Sequence, residues 1–403
     1  MAFQEYLMST PTLTRKASLL SRRLLLRLMA MIVIVALLGF FLRSTLIHRM
    51  MLPRLVINQG GSVIAVAISP DGRTLFSGSD PTQDVRHLKN NRAADVFVWQ
   101  AASGKVIHRL HGFYWRSNAV AVSPDGTQVI ASGHADRDSP SQVFAPPPDK
   151  IIAWDWKTEK KLWTIDGDMP LAFSPDGRLF GCSEGVREVG SGKMIVGIPG
   201  GLENDSQIEF SADGTFFGFI GKPTLNKSGF MDSENDGKAY YSTTRLHLWR
   251  MDTGKELKDF PFTRTRAFAI ARSGLWFVTV SDLTGGMIGG TDGTVVRRVD
   301  IKSGDVACTR KRSYNAPDHD SDAGSNSVVI SPNGKYIVPQ SYSSQLIILD
   351  AATGRELFRP LLCQTHTGRG WIYPGGLAFS SDGKTLVSRC GPQLLVWDTS
   401  RLQ

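Results

Sequence analysis

Seven stretches of the chain carry one pattern of apolar and polar positions. Each is aligned on a glycine: Gly72, Gly126, Gly177, Gly214, Gly274, Gly334 and Gly383. Six residues earlier stand Val66, Val120, Leu171, Ile208, Phe268, Val328 and Leu377, and four earlier Ile68, Val122, Phe173, Phe210, Ile270, Ile330 and Phe379. Three residues later stand Leu75, Val129, Phe180, Phe217, Phe277, Ile337 and Leu386. Apolar alternation with period two, a break and a second apolar run predict a strand, a tight turn and another strand. The break usually reads Ser-Pro-Asp-Gly. Proline pre-sets the bend, and Asp-Gly supplies the positive φ values that two-residue hairpin turns use. The fifth copy, "FAIARSG", keeps the apolar positions without Pro and Asp.

Each unit has a second half. "VFVWQAASGKVIHRL", "IIAWDWKTEKKLWTI", "LHLWRMDTGKELKDF", "VVRRVDIKSGDVACT", "LIILDAATGRELFRP" and "LLVWDTSRLQ" are apolar strands ending near Trp-Asp or a remnant of it. All but the last continue through a short polar turn into another strand, and the third unit is reduced to "GVREVGSGKMIVGI". Gly104, Gly192, Gly254, Gly304 and Gly354 stand where that turn needs a left-handed residue. Each unit therefore predicts four antiparallel strands.

A four-stranded unit closing its third strand on Trp-Asp resembles the WD-repeat β-propeller family over residues 52–403. The residues carrying the resemblance are Trp154-Asp155 and Trp397-Asp398, the weaker Trp99-Gln100, Trp249-Arg250, Val299-Asp300 and Leu349-Asp350, and the Ser-Pro-Asp-Gly turns. The resemblance implies an all-β fold with seven blades. The Gly-His dipeptide that opens a family repeat is missing, so the family's Asp-His-Ser/Thr-Trp hydrogen-bond network is not expected. The last unit stops after three strands, and "LPRLVIN" (52–58) precedes the first. That segment is expected to supply the missing outer strand and close the ring, leaving no blade with an open edge. A β-sandwich would not need regular repeats.

Charge changes the picture at the N-terminus. The net charge of +9 suggests a nucleic-acid partner until it is divided. Eight of the 46 basic residues but one of the 37 acids, Glu5, lie in 1–54, leaving 38 against 36 for the rest. A nearly neutral propeller argues against a basic nucleic-acid face. The early charges surround "LLLRLMAMIVIVALLGFFL" (24–42). As a helix it spans about 28 Å, close to the hydrocarbon thickness of a bilayer. No small-residue cleavage site follows it, and it is apolar all round, unlike a core helix. The expected organisation is a basic cytoplasmic tail (1–23), a single transmembrane helix (24–42), a tether (43–51) and the propeller (52–403). Arg15, Lys16, Arg22, Arg23 and Arg27 against Arg43, Arg49 and Arg54 place the propeller on the non-cytoplasmic side. Cys182 and Cys390 fall on second strands far apart, and Cys308 and Cys363 on outer strands of neighbouring units. No close pair is evident, so disulfides are neither needed nor implied.

Strand direction alternates within a unit, so first-to-second and third-to-fourth turns emerge on one rim. The other connections emerge on the opposite rim. Nearly all extra length lies in the second set, at 79–95, 134–150, 222–244, 311–325 and 363–376. Length gathered on one side of a rigid scaffold marks that side as the binding surface. The short tether is expected to turn the plain rim to the bilayer. Candidate partner-binding residues are Phe113, Tyr114 and Trp115 in "HGFYWRSN" and Trp371 and Tyr373 in "GRGWIYPGG". Clustered loop aromatics make interface hot spots, although each could instead cover its own blade.

Catalytic chemistry has little support. Asp232, Glu234 and Asp236, and likewise Asp318, Asp320 and Asp322, resemble calcium-loop ligands, but the twelfth positions hold Thr243 and Val329 instead of Glu. No His/Cys metal spacing, Gly-x-Ser-x-Gly or phosphate loop is present. "AWDWKTEKKLW" (153–163) resembles the tryptophan-docking motif of quinoprotein dehydrogenases, with Glu159 in place of its glycine. The expected function is a non-catalytic, membrane-anchored scaffold that docks a protein or peptide, without cofactor, metal or nucleic acid. The alternative is a propeller enzyme or small-ligand sensor, quinoprotein-like or lactonase-like, using the channel mouth.

Overall fold

The computed structural model describes Met29, Met31 and residues 53–400 apart from 81–93, 114–115, 135–148, 168–170, 199–206, 222–244, 261, 263–264, 283–292, 314–324, 342–345 and 359–375. The chain divides into two units, Met1–Leu52 and Pro53–Gln403. In the first, Met29 and Met31 are helical and more than half exposed. The rest of the expected membrane span lies outside the described residues, among which no helix is long and apolar enough to cross a membrane.

The second unit is seven four-stranded antiparallel sheets. The first strand, β1 (Leu55–Asn58), precedes sheet 1, which is β2 (Ser62–Ile68), β3 (Thr74–Asp80), β4 (Val96–Gln100) and β5 (Val106–Leu110). Sheet 2 is β6 (Ser117–Val122), β7 (Gln128–Gly133), β8 (Lys150–Asp155) and β9 (Lys160–Asp166). Sheet 3 is β10 (Ala172–Phe173), β11 (Leu179–Cys182), β12 (Gly185–Glu188) and β13 (Met194–Gly197). Sheet 4 is β14 (Ile208–Phe210), β15 (Phe216–Gly221), β16 (Arg245–Arg250) and β17 (Lys255–Asp259). Sheet 5 is β18 (Thr265–Ile270), β19 (Trp276–Asp282), β20 (Gly293–Asp300) and β21 (Val306–Ser313). Sheet 6 is β22 (Ser325–Ile330), β23 (Tyr336–Ser341), β24 (Ile348–Asp350) and β25 (Glu356–Phe358). Sheet 7 is β26 (Leu377–Phe379), β27 (Thr385–Cys390), β28 (Gln393–Asp398) and, as its outer strand, β1.

The closure expected of residues 52–58 is therefore present. β1 pairs with β28 in the register Leu55 to Val396 and Asn58 to Gln393. The innermost strands β2, β6, β10, β14, β18, β22 and β26 touch in succession and β26 returns to β2, completing a ring. The core is correspondingly divided among seams, each filled by one apolar cluster drawn from two adjacent sheets. Sheets 1 and 2, for example, bury Phe76, Val98, Val129 and Trp154 together, and sheets 7 and 1 bury Ile57, Val66, Leu75 and Val396. Alternation explains this: along β2, Val66 and Ile68 face sheet 7, while Ala65 and Ala67 face sheet 2.

The first-to-second turn is five residues in every sheet (69–73, 123–127, 174–178, 211–215, 271–275, 331–335, 380–384). It departs from the expected two-residue hairpin. Gly72 N donates to Ser69 O at 2.8 Å, and Ser69 N to Thr74 O at 2.8 Å, so a β-turn is followed by one left-handed residue, Gly72 (φ 70°). Asp71 does not need positive φ. Its carboxylate instead accepts from Ser69 Oγ (2.5 Å) and Arg73 N (3.0 Å), while Ser69 Oγ accepts from Thr74 N (2.9 Å). The same lattice recurs at Asp125, Asp176, Asp213 and Asp382, with Asn333 as the sixth member. Hydrogen bonds from Ser69, Ser174 and Ser380 lower the pKa of Asp71, Asp176 and Asp382. At Asp125 and Asp213 burial opposes the shift, and the hydrogen bonds from Ser123 and Thr127 and from Ser211 and Thr215 together outweigh it. Ala271 replaces the serine in sheet 5, where the lattice is lost. In the third-to-fourth turn of sheet 2, Glu159 takes the glycine position at φ 58° and is the one non-glycine residue at positive φ among those described.

Two expectations are corrected. Part of the family's polar network exists. Trp99 Nε1 donates to Ser77 Oγ at 2.8 Å, and Trp397 Nε1 to Ser388 Oγ at 2.9 Å. Ser77 Oγ in turn donates to Gln59 Oε1, a residue of the connection between β1 and β2 where the missing histidine would stand. A serine five residues after the aligned glycine is the signal; Phe219 holds that place in sheet 4, and Trp249 Nε1 is left without a partner. The second correction concerns cysteine. Cys390 is disulfide-bonded, its partner lying outside the described residues, whereas Cys182 and Cys308 are free.

Candidate functional site: the elaborated rim and the channel wall

The two rims differ in construction. One holds the seven five-residue turns, packed into a collar: Gly126 abuts Pro70, Gly177 abuts Pro124, and Ser381 N donates to Pro70 O at 3.3 Å. Arg272 Nη1 reaches from sheet 5 to Ser381 O of sheet 7 at 3.1 Å. On the other rim the connections run from 183–184 in sheet 3 to 222–244 in sheet 4. Since both rims hang on the same strands, only the second has chain to spare for recognition.

Polar side chains brace the roots of these connections. Asp95, almost fully buried just before β4, accepts at 2.8 Å from the exposed imidazole of His111. Before β8, buried Asp149 accepts from Asn118 Nδ2 at 2.7 Å and pairs with His134. Arg389, buried at the seventh seam, donates to Val63 O (3.1 Å) and Ile64 O (2.8 Å). Among the described residues no group of three or more His, Cys, Asp or Glu side chains is placed to hold a metal ion.

Phe113, one of the aromatic candidates, is 4% exposed and packs edge-on to Trp154 at 5.8 Å. It fastens the 111–116 connection onto sheets 1 and 2 and offers no surface to a partner. Tyr114, Trp115, Trp371 and Tyr373 lie outside the described residues, as do both acidic stretches weighed for calcium. In the tryptophan-docking-like segment, Trp163 stacks on Phe180 at 5.4 Å across the second seam, a packing role.

The channel wall holds a residue that the repeat pattern conceals. Five residues before the aligned glycine stand Ala67, Ala121, Ala172, Glu209, Ala269, Val329 and Ala378. Inner strands converge on the axis, so small side chains fit there. In sheet 4, Glu209 Oε2 instead accepts from Ile270 N at 2.9 Å, and Gln207 Oε1 from Phe268 N at 3.1 Å. The two side chains cover the channel-facing edge of β18. Burial raises the Glu209 pKa to about 8, against the lowering effect of the Ile270 N–H, so the carboxyl is protonated at neutral pH.

Seven four-stranded sheets closed into a ring by a terminal strand define a seven-bladed β-propeller. Residues 54–82, covering β1 to β3, match the family model "WD domain, G-beta repeat". With the Trp–Ser bonds of sheets 1 and 7 and the seven blades, this match supports a WD-repeat propeller family. No curated protein matches the sequence. Among solved structures, a chain of "Kuenenia stuttgartiensis Hydrazine Synthase" is similar with TM-score 0.59 at 16% identity, covering 85% of this chain and 96% of that one. At that identity the likeness concerns the fold.

Proposed function

We propose that this propeller is a non-catalytic docking platform for a protein partner, seated on the elaborated rim and tethered to a membrane through residues 24–42. The observation that carries the reading is the asymmetry of the rims. Seven turns of identical length face one way, and every long connection faces the other. Selection for folding alone gives no reason to lengthen one rim only, whereas a rigid ring presenting loops is a common basis for partner recognition. Tyr114, Trp115, Trp371 and Tyr373 are the proposed contacts. The Cys390 disulfide supports a propeller on the oxidising, non-cytoplasmic side.

The test is crosslinking of the intact protein in its membrane, followed by mass spectrometry, beside a Tyr114→Ser/Trp115→Ser variant that leaves Phe113 in the core. Partners crosslinked through the long connections and diminished in the variant are expected. Crosslinks confined to the plain rim, or none at all, would sink the docking reading. Protection of the propeller from protease in sealed inside-out vesicles tests its sidedness.

A further inference from the structure

The outer half of sheet 5 carries two cation pairs, one on each face. On the face toward sheet 6, Arg298 stacks over Trp276 (4.6 Å) and donates to Ala351 O (3.3 Å). Beside it, Arg310 Nη2 meets Glu356 Oε2 at 2.6 Å. That pair is engaged within the fold. On the face toward sheet 4 the register places Thr279, Arg297 and Thr309 in one row, with Lys311 opposite Val295 in the next. Arg297 lies over the Phe262 ring at 5.4 Å, which fixes the guanidinium plane. Its Nη1 is buried without a hydrogen-bond partner, and so is Thr279 Oγ1 beside it. Lys311 and Thr309 are exposed. Among the described residues neither Arg297 nor Lys311 meets a carboxylate.

A half-buried guanidinium held flat on an aromatic ring, with an exposed lysine in the next row of the same face, matches the forked geometry of an oxyanion. We infer that Arg297 and Lys311 form a receptor for a carboxylate side chain of an acidic peptide, one contact of the partner proposed above. This rests on the docking reading. Carboxylate suits the site better than a nucleic-acid backbone, because the propeller is nearly neutral and this face offers two free cations and no extended stripe. Burial also lowers the Arg297 pKa, as expected where the countercharge is to be brought by a ligand.

The experiment is fluorescence anisotropy on the full chain in detergent, with a labelled deca-glutamate peptide as probe and deca-glutamine as reference. Glutamate-specific binding that weakens with salt is expected. Arg297→Gln should weaken it about 30-fold and Lys311→Gln about threefold, as for a partly buried and a rim charge respectively. Arg297→Lys should fall between, and Lys302→Gln, on the turn of the same sheet, should bind like the wild type. If Arg297→Gln fails to fold by thermal melt, the exposed Lys311→Glu carries the test, with about tenfold loss expected. Equal binding of both peptides, unchanged affinity in Arg297→Gln, or tighter binding of a phosphoserine peptide of equal charge overturns the inference. Retained crosslinks on the elaborated rim without glutamate binding would remove this receptor and leave the docking reading standing. Arg297-dependent glutamate binding without rim crosslinks would do the reverse.

Discussion

At the seam between sheets 7 and 1, the chain uses backbone and motif: β1 lies on β28, Arg389 donates to Val63 O and Ile64 O, and Trp99 is hydrogen-bonded to Ser77. At the seam between sheets 4 and 5, Val299 stands in place of the tryptophan and Thr279 Oγ1 is unpaired. There the inner strands are joined by Gln207 and Glu209 reaching across to β18. Gly218 leaves room for the Phe268 ring, so bulk at the seam replaces order within the sheet. The repeat thus tolerates loss of its internal polar motif where an interface between sheets takes over the stabilising role.

Five substitutions probe this contrast, beginning with the largest expected effect. Ile57→Ala removes a side chain buried in the seventh seam, on a strand of four residues. It should cost about 2–5 kcal/mol in urea unfolding. A cost below the lower bound would mean that β1 contributes little to closure. Ser77→Ala orphans the Trp99 indole and the Gln59 amide, and about 1–3 kcal/mol should be lost. Thr279→Val, removing a hydroxyl with no partner, should be neutral or stabilising. Equal costs for these two would erase the difference between the seams.

Glu209→Gln sharpens the comparison through pH. The folded-state pKa of about 8 stands above the ordinary value of 4.5, so the folded state holds a proton that the unfolded chain releases. Wild-type stability from this group is fully present below about pH 4.5 and is lost as pH rises toward 8. The variant should lack that decline and exceed the wild type at pH 8 by at least about 1.4 kcal/mol, one unit's worth. Parallel pH profiles would show that Glu209 titrates normally. Asp71→Asn is the smallest change. The lowered pKa of Asp71 means stability present above the unfolded value near 3.8 and lost as pH falls below it. Asn333 already fills that role in sheet 6. The variant should keep its melting temperature at pH 7 and lose slightly less than the wild type at pH 3.

The architecture was legible because its determinants are local and repeated. Alternation gave the strands, Asp-Gly and Gly-Lys stretches gave the turns, and a three-stranded last unit called for the strand at 52–58. What escaped notice depends on partners remote in sequence or unlike those of the family. Gln59 substitutes for a histidine through its amide, and Glu209 meets Ile270 only because two inner strands converge. Phe113 looked like surface because its neighbours in the loop are aromatic, yet its ring fills a gap beside Trp154. Arg297 was hidden by its twin: "RR" in the sequence gives no sign that Arg298 donates a hydrogen bond to the next sheet while Arg297 only lies over a ring.

The pairing of Leu55 with Val396 also sets an order of events during biosynthesis. β1 leaves the ribosome early but cannot find its place until β28, at the far end of the chain, has emerged, which at about 5–20 residues per second takes tens of seconds. Throughout that interval the unfinished ring exposes an unpaired edge, and long-range pairings of this kind form slowly. The nascent chain should therefore be a client for holding chaperones until its final strand is made.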